Sequence, residues 1–212
     1  RSTPLYSSAA SDVYKRQDMW YPSVPDSYPV RFQKVKNALV DIDGMYIYDF
    51  LVRTNLSTFW ILQKLLEHLN ELPTELCYEG DGPLPPGQPK FYLSGTDTIV
   101  NSYMVKELIK KQNLLNYGLP EDATMGSFFH GIMGAPFRDS NMRFLEDFTS
   151  QDEQKLQDAI AGALDRNQNH FRVKNIRNDN REEIDGWILT KLLNHYYNET
   201  VTSIENDDLV SC

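Results

Sequence analysis

The segment from residue 46 to residue 53 limits the possible folds of this chain more than any other. Its residues are aromatic or aliphatic on both alternating faces up to Arg53, apart from Asp49. A strand with two apolar faces is typical of the buried centre of an α/β sheet. Phe32, Val35 and Leu39, which precede it, recur at helical spacing. The chain is therefore predicted to be an α/β protein, with helices packed on both faces of a mostly parallel central sheet.

Helical and extended segments alternate along the rest of the chain. Predicted helices cover 30–39, 58–69, 98–109, 123–131, 150–164 and 184–197, and predicted strands cover 77–78, 90–93 and 171–173. Ser57 or Thr58 is a predicted N-cap, and so is Asp97 or Thr98, because short oxygen-bearing side chains satisfy the first free amides of a helix. Residues 41–44 (Asp-Ile-Asp-Gly) are predicted to form a turn.

The two ends of the chain differ from the part between them. Residues 1–17 have no apolar period and resemble translated linker or adapter sequence, so we exclude them from the fold. Residues 18–197 are predicted to form one domain, which is long enough to bury a core. Residues 198–212 are polar and are predicted to be a disordered tail.

Composition narrows the classes of partner. The chain has 30 acidic and 21 basic residues and a formal net charge of −9, so its surface would repel nucleic-acid phosphates. No apolar run is long enough to cross a bilayer, and a soluble, cytoplasmic protein is expected. The two cysteines, Cys77 and Cys212, make neither a disulfide framework nor a zinc site.

Polar side chains follow the apolar strand directly. Arg53, Thr54, Asn55 and Ser57 stand where the strand ends. Ligands of open α/β folds bind at the carboxyl edge of the sheet, which is where such side chains are delivered. This strand end is therefore a predicted binding site.

Three segments in this order resemble the fringe and β1,3-galactosyltransferase group of inverting GT-A glycosyltransferases. The first is Tyr48-Asp49-Phe50-Leu51-Val52-Arg53, the second is Phe91-Tyr92-Leu93-Ser94-Gly95, and the third is Glu121-Asp122-Ala123-Thr124-Met125-Gly126. In that family they are the strand before the DxD motif, a strand that ends in Ser-Gly shortly before a helix, and an acidic pair before a glycine. The resemblance extends over about residues 25–197.

The resemblance implies a GT-A-like three-layer sandwich and a reaction. The expected reaction moves a sugar from a nucleotide-sugar donor, a UDP-sugar, to a hydroxyl group of a glycan or other acceptor, with inversion. By position, Asp122 is the base that deprotonates the acceptor, and one carboxylate is enough for that role. Gly95 would allow the backbone to approach the bound sugar closely.

The DxD position of the resemblance raises the question of a metal. In the family its aspartates hold a divalent cation, Mn²⁺ or Mg²⁺, that bridges the donor's diphosphate. Here the position is Asn55-Leu56-Ser57. Hard cations prefer carboxylate ligands, whereas an amide and a hydroxyl ligate weakly or hydrogen-bond phosphate or ribose directly. Asn55, Ser57 and His170 are the candidate metal ligands, and metal dependence is left open.

A basic segment late in the chain completes the predicted donor site. His170 matches a histidine that the family places beside the metal or diphosphate, and Arg172 and Lys174 share one side of an extended segment. Cations there would offset charge on the leaving group. The predicted donor-binding residues are Arg53, Thr54, Asn55, Ser57, Ser94, Gly95, His170, Arg172 and Lys174.

The nucleotide-binding half of a GT-A domain precedes the DxD motif. Only about thirty residues separate residue 18 from Tyr48, which is too few for that half. The sequence is therefore expected to be truncated at its N-terminus and to bind its donor weakly.

Two other functions are compatible with the sequence. A glycan-binding or structural domain could keep this fold without the metal site. A haloacid-dehalogenase-like phosphatase would use Asp41 and Asp43, provided that they followed an apolar strand. The residues before them have helical period, which favours a turn instead.

Overall fold

Helices and strands alternate along the chain in the computed structural model, which describes residues 31–81, 92–140 and 142–207. The helices of these ranges are Arg31–Met45 (α1), Leu62–Glu71 (α2), Ser102–Lys110 (α3), Glu121–Gly126 (α4), Glu153–Asp165 (α5) and Arg181–Asp207 (α6). A 3₁₀ turn at Gln112–Leu114 follows α3, and a π-helical segment at Ser127–Ile132 continues α4. None of the described helices is both long enough and apolar enough to cross a bilayer.

The strands of the described ranges form two sheets. They are Phe50–Thr54 (β1), Thr58–Trp60 (β2), Tyr78–Gly80 (β3), Asp97–Asn101 (β4), Phe137–Asp139 (β5), Met142–Leu145 (β6) and His170–Val173 (β7). One sheet has the order β1-β4-β3-β5 and the other has the order β2-β7-β6. The α/β class predicted from the sequence is confirmed.

The prediction of one mostly parallel sheet is wrong for the described residues. β4 runs antiparallel to both of its neighbours, β1 and β3, and β2 runs antiparallel to β7. Only the β3–β5 and β6–β7 pairs are parallel. The error has a local origin, because the sequence pattern predicts helix for both β2 and β4, the strands whose pairing is antiparallel.

Residues 97–101 are a strand because their side chains find partners in the interior. All five residues of β4 are buried. The Asp97 carboxylate accepts the backbone amide of Asp81 at 3.0 Å instead of capping a helix. The helix begins only at Ser102. Thr58 is likewise not a cap, because it opens β2, and α2 begins at Leu62.

The first helix and strand also differ from the prediction. Residues 41–44 are the last part of α1 and not a turn. Tyr46 and Ile47 are exposed, and β1 is half-buried at the edge of the four-stranded sheet as described, not at its centre. Asp41 and Asp43 therefore lie within a helix. The phosphatase interpretation required them to follow a strand, and they do not.

Helices pack on both faces of the four-stranded sheet. On one face, Tyr78 and Val100 pack with residues of α1, α3 and the α4 region. On the other face, Cys77 and Ile99 pack against leucines of α2. Burial of these apolar side chains is the main force that holds the layers together.

The three-stranded sheet has a core of its own. Phe171 and Val173 of β7 pack with apolar residues of α5 and α6. The carboxylate of Asp152 caps α5 by accepting the amide of Lys155 at 3.0 Å, so the helix begins at Glu153 and not at residue 150 as predicted. The strand predicted at 171–173 is confirmed as β7.

The predicted domain limits meet the structure only in part. α6 continues to Asp207, past the predicted start of a disordered tail at residue 198. Residues 1–17, interpreted as an adapter-like tail, lie outside the described residues, and so do the first two residues of the predicted strand at 90–93. The other two, Tyr92 and Leu93, are described and are not part of a strand.

Candidate functional site

A cavity of about 340 Å³ opens where the end of β1, the turn before β4 and the start of α4 meet. Its lining includes six of the residues predicted from the sequence: Arg53, Asn55, Ser94, Gly95, Asp122 and Arg172. The structure thus brings together residues from all three sequence segments and from β7. The volume is at the small end of ligand pockets, which measure about 300–1,000 Å³.

Asn55 organises the turn between β1 and β2. Its side-chain oxygen Oδ1 accepts the amide of Ser57 at 3.1 Å and the hydroxyl of Ser57 at 2.7 Å. The same oxygen accepts Nη1 of Arg172 at 2.9 Å. Such a turn is a common use of asparagine, whose carbonyl replaces a backbone acceptor. One amide oxygen therefore joins the β1–β2 turn to β7 and is saturated with donors.

Arg172 is a nearly buried cation on the cavity wall. Only 9% of the residue is exposed, and within the described residues its side chain has a single hydrogen-bond partner, Asn55. Burial lowers the pKa of Arg172, because desolvation disfavours the charged guanidinium, although Glu146 and Asp97 act in the opposite direction. Among the described residues, no carboxylate contacts this positive charge.

Arg53 is held against a bare glycine. Its Nη2 lies 2.5 Å from Oε1 of Glu121. A Cβ placed on Gly95 would lie 2.8 Å from Nη2 and 3.0 Å from Cζ of Arg53, closer than side chains tolerate. Within the described part of the chain, the buried Nη1 of Arg53 has no hydrogen-bond acceptor. Glycine at position 95 is thus what leaves room for the guanidinium.

Asp122 also lines the cavity, from the first turn of α4. Its Oδ1 accepts the amide of Ala123 at 2.9 Å. No partner of Oδ2 is recorded among the residues that the structure describes. One oxygen is thus held in place and the other is free to take a proton, which is what a general base requires.

His170 is not in the cavity, contrary to the prediction that it contacts metal or diphosphate. It is completely buried and stacks on Trp60, with ring centroids 4.0 Å apart. Its Nδ1 lies 2.6 Å from Oδ1 of Asn169, and its Nε2 lies 3.2 Å from Oδ2 of Asp97. Residues 170 and 172 share a face of β7, but only the second reaches the cavity.

Three further predicted donor-binding residues are not among those that line the cavity. Thr54 donates its hydroxyl to the backbone oxygen of Thr96 at 3.1 Å, which ties β1 to the turn before β4. The hydroxyl of Ser57 donates to Oδ1 of Asn55 and so stabilises the β1–β2 turn. Lys174 lies beyond the end of β7, where its amide donates to the backbone oxygen of Leu145. Thr54 and Ser57 therefore shape the site without lining it.

The candidate metal ligands do not fit a divalent cation. Oδ1 of Asn55 already accepts from four donors: the amide and hydroxyl of Ser57, the hydroxyl of Thr58 at 3.2 Å and the cationic guanidinium of Arg172. Both ring nitrogens of His170 are engaged in the interior. No cluster of three or more histidine, cysteine or acidic side chains suited to a metal occurs in the described residues. The donor chemistry at this position favours an anion over a cation.

A larger cavity of about 770 Å³ lies on the other side of the β1–β2 turn. Leu56 and Ser57 line it together with Asp179, which precedes α6, and with the beginning of α6. That part of the helix contributes three carboxylates, from Glu182, Glu183 and Asp185, and one cation, from Arg181, so acidic side chains are in excess. An acidic wall repels phosphate groups. A phosphate-bearing ligand therefore favours the smaller cavity with its two arginines.

The sequence analysis missed parts of the site. Glu121, the partner of Arg53, was recognised only as one half of an acidic pair, and Thr96 was not singled out. Spacing gives no signal for a contact between positions so far apart.

Comparison with known protein families finds no family model that matches this chain, and comparison with curated proteins finds none similar to it. The interpretation of the site therefore rests on its residues and their geometry.

Proposed function

We propose that this chain is a divergent GT-A-like glycosyltransferase that moves a sugar from a nucleotide-sugar donor, a UDP-sugar, to a hydroxyl group with inversion. One observation carries the proposal: Asn55, Gly95 and Asp122, from three separate segments, line a single cavity with two arginines. The helices on both faces of the four-stranded sheet are compatible with a three-layer α/β sandwich.

In the proposed reaction, Asp122 removes the proton from the acceptor hydroxyl. The oxygen of the hydroxyl forms a bond to the anomeric carbon, and the bond from that carbon to the donor's phosphate oxygen breaks. The electron pair of the broken bond goes to the diphosphate. Charge on the leaving group increases, and Arg53 and Arg172 are the cavity's positively charged side chains. Attack from the face opposite the diphosphate gives inversion.

The test is release of UDP from a panel of UDP-sugars in the presence of mixed hydroxyl acceptors. Asp122→Asn should lower the turnover by about 10²- to 10⁴-fold, the usual contribution of a general base. Its affinity for UDP should change little, because the amide keeps the shape of the side chain. Asp158→Asn, on the exposed face of α5, is the matched control. Turnover that survives in Asp122→Asn would show that Asp122 is not the base.

A glycan-binding domain is the second candidate. It is favoured by the amide at position 55, where the family that the sequence resembles carries an acid. Binding of oligosaccharides on a glycan array, with no turnover of any UDP-sugar under any cation, would support it. UDP release that depends on the acceptor would exclude it.

A further inference from the structure

The cation-binding position of the candidate donor site is taken by a protein side chain. Oδ1 of Asn55 would have to turn toward a metal for the DxD role, but it accepts Nη1 of Arg172 at 2.9 Å. Ser57 supplies two more donors to the same oxygen. Placing a divalent cation at this oxygen would bring it against a guanidinium. The local charge therefore already has the sign that a metal would provide.

Arg172 is prepared to bind an anion. It is nine-tenths buried, it lines the cavity, and its one side-chain partner in the described chain is a neutral amide. A buried charge without an opposite charge is unfavourable, so an incoming anion would gain more there than at the surface. The planar fork of a guanidinium also suits phosphate oxygens, which it binds in pairs.

Arg53 provides a second guanidinium on the same cavity. Its Nη2 is fixed by Glu121, and its buried Nη1 has no acceptor within the described residues. Its guanidinium packs against Gly95, in the space that a Cβ atom would fill, and this contact fixes its position beside the turn before β4. An ion pair on one side and an unused donor on the other leave this arginine oriented for a ligand.

We infer that Arg53 and Arg172 bind the diphosphate of the donor directly, and that they take the place of a divalent cation. The inference rests on the proposed function, because it assigns the anion to a nucleotide-sugar. It goes beyond that function in making donor binding independent of metal. In the transfer step, the same guanidinium groups stabilise the diphosphate that leaves with the electron pair of the broken bond.

The experiment is calorimetric titration of the full chain with inorganic diphosphate and with UDP, first in EDTA and then in Mn²⁺ or Mg²⁺. The dissociation constant in EDTA should lie within about threefold of the value with metal. Arg172→Gln and Arg53→Gln should each weaken binding by about 10- to 100-fold, the effect of losing a hydrogen bond to a charged group. Lys110→Gln, on an exposed side chain of α3, removes the same charge and should have no effect.

A second variant and the unmodified protein keep the test decisive. Arg172→Lys keeps the positive charge but loses the paired donors of the guanidinium. Its affinity for diphosphate should therefore lie between that of the parent and that of Arg172→Gln. Circular dichroism reports whether each variant folds, and the comparison of EDTA with Mn²⁺ needs no variant. Diphosphate binding that appears only with metal would overturn the inference, and so would an absence of binding under both conditions. Unchanged affinity in Arg172→Gln would do the same.

Failure of the proposed function has a different signature. If diphosphate binds in EDTA through the two arginines but no UDP-sugar is ever turned over, the guanidinium site stands and sugar transfer does not. If sugar transfer occurs only with a divalent cation, the transfer proposal stands and the inference fails.

Discussion

Oδ2 of Asp97 lies 3.2 Å from Nε2 of His170, and this buried contact joins the two sheets of the protein. Asp97 belongs to β4 of the larger sheet and His170 to β7 of the smaller one. Both side chains are completely buried. Because β7 also carries Arg172 to the cavity, the contact helps to set where that arginine stands relative to the turn before β4.

Asp97→Asn should make the protein less stable at neutral pH and less sensitive to acid. Burial alone would raise the pKa of Asp97, but hydrogen bonds with His170 and the Asp81 amide lower it below its ordinary value. The carboxylate then stabilises the fold above its unfolded pKa, about 3.9. That contribution is lost as the pH falls through the lower folded pKa.

Urea unfolding from about pH 2 to about pH 7 measures this effect. We expect Asp97→Asn to cost about 1–3 kcal/mol at neutral pH and to flatten the acid limb. Asp158→Asn, which is exposed, should leave both features unchanged. Parallel acid limbs in the Asp97 variant and the parent would contradict the assignment.

His68→Gln should change how the stability of the protein depends on pH above neutrality. Nε2 of His68 lies 2.5 Å from Oε1 of buried Glu79, and this hydrogen bond raises the pKa of His68 against the lowering effect of burial. The stabilisation is complete below the unfolded histidine pKa, about 6.5, and is lost as the pH rises through the raised folded pKa.

The parent should therefore lose stability as the pH rises from about 6.5 into the alkaline range, and His68→Gln should not. Thermal unfolding across that range measures the difference. His195→Gln, at an exposed position of α6, is the control. The interpretation fails if the parent shows no loss of stability in this range.

Gly95→Ala should weaken diphosphate binding while the fold is kept. The new Cβ would lie 2.8 Å from Nη2 of Arg53, so the guanidinium has to move away from its place above the turn. We expect affinity to fall about tenfold, as for loss of one charged hydrogen bond. Gly162→Ala, in α5, meets no atom within 4 Å and should leave binding unchanged. Equal affinity in both variants would argue against a role for Arg53.

Phe171→Ala should cost far more stability than Phe144→Ala. Phe171 is 0% exposed in the core under the smaller sheet, whereas Phe144 on the neighbouring strand is 49% exposed. Removal of a buried phenyl ring costs about 3–5 kcal/mol, and the exposed ring should cost less than about 1 kcal/mol. Denaturant midpoints measure both, and similar losses would mean that this core is not packed as described.

The α/β class was readable from the sequence because apolar period reports burial directly. The segment at 171–173 and the helix after Ile184 are placed by that pattern. The pattern failed at Asp97, where a polar residue looked like a helix cap. Its carboxylate is buried because Asp81 and His170 satisfy it, and both partners are too far along the chain for local reasoning to reach. The prediction of a mostly parallel sheet failed at β4 for this reason, and it failed also at β2, which pairs antiparallel with β7.

In the candidate site, too, the sequence predicts some features and not others. Arg53, Asn55 and Asp122 could be selected because their types and positions carry chemistry by themselves. The side-chain directions could not be read, since they depend on which strand lies opposite. His170 and Arg172 illustrate this: both share one face of β7, but Trp60 and Asp97 enclose the first, and the second reaches Asn55.

The amide at position 55 has a consequence for any attempt to rebuild the acidic motif. An aspartate there would lie beside Arg172 and form a salt bridge with it, where the neutral amide now accepts one hydrogen bond from this arginine. The guanidinium would then be neutralised from within the protein, and phosphate would compete with an internal carboxylate for it. Asn55→Asp, the change that restores the first acid of a DxD motif, is thus expected to weaken the binding of phosphate to Arg172.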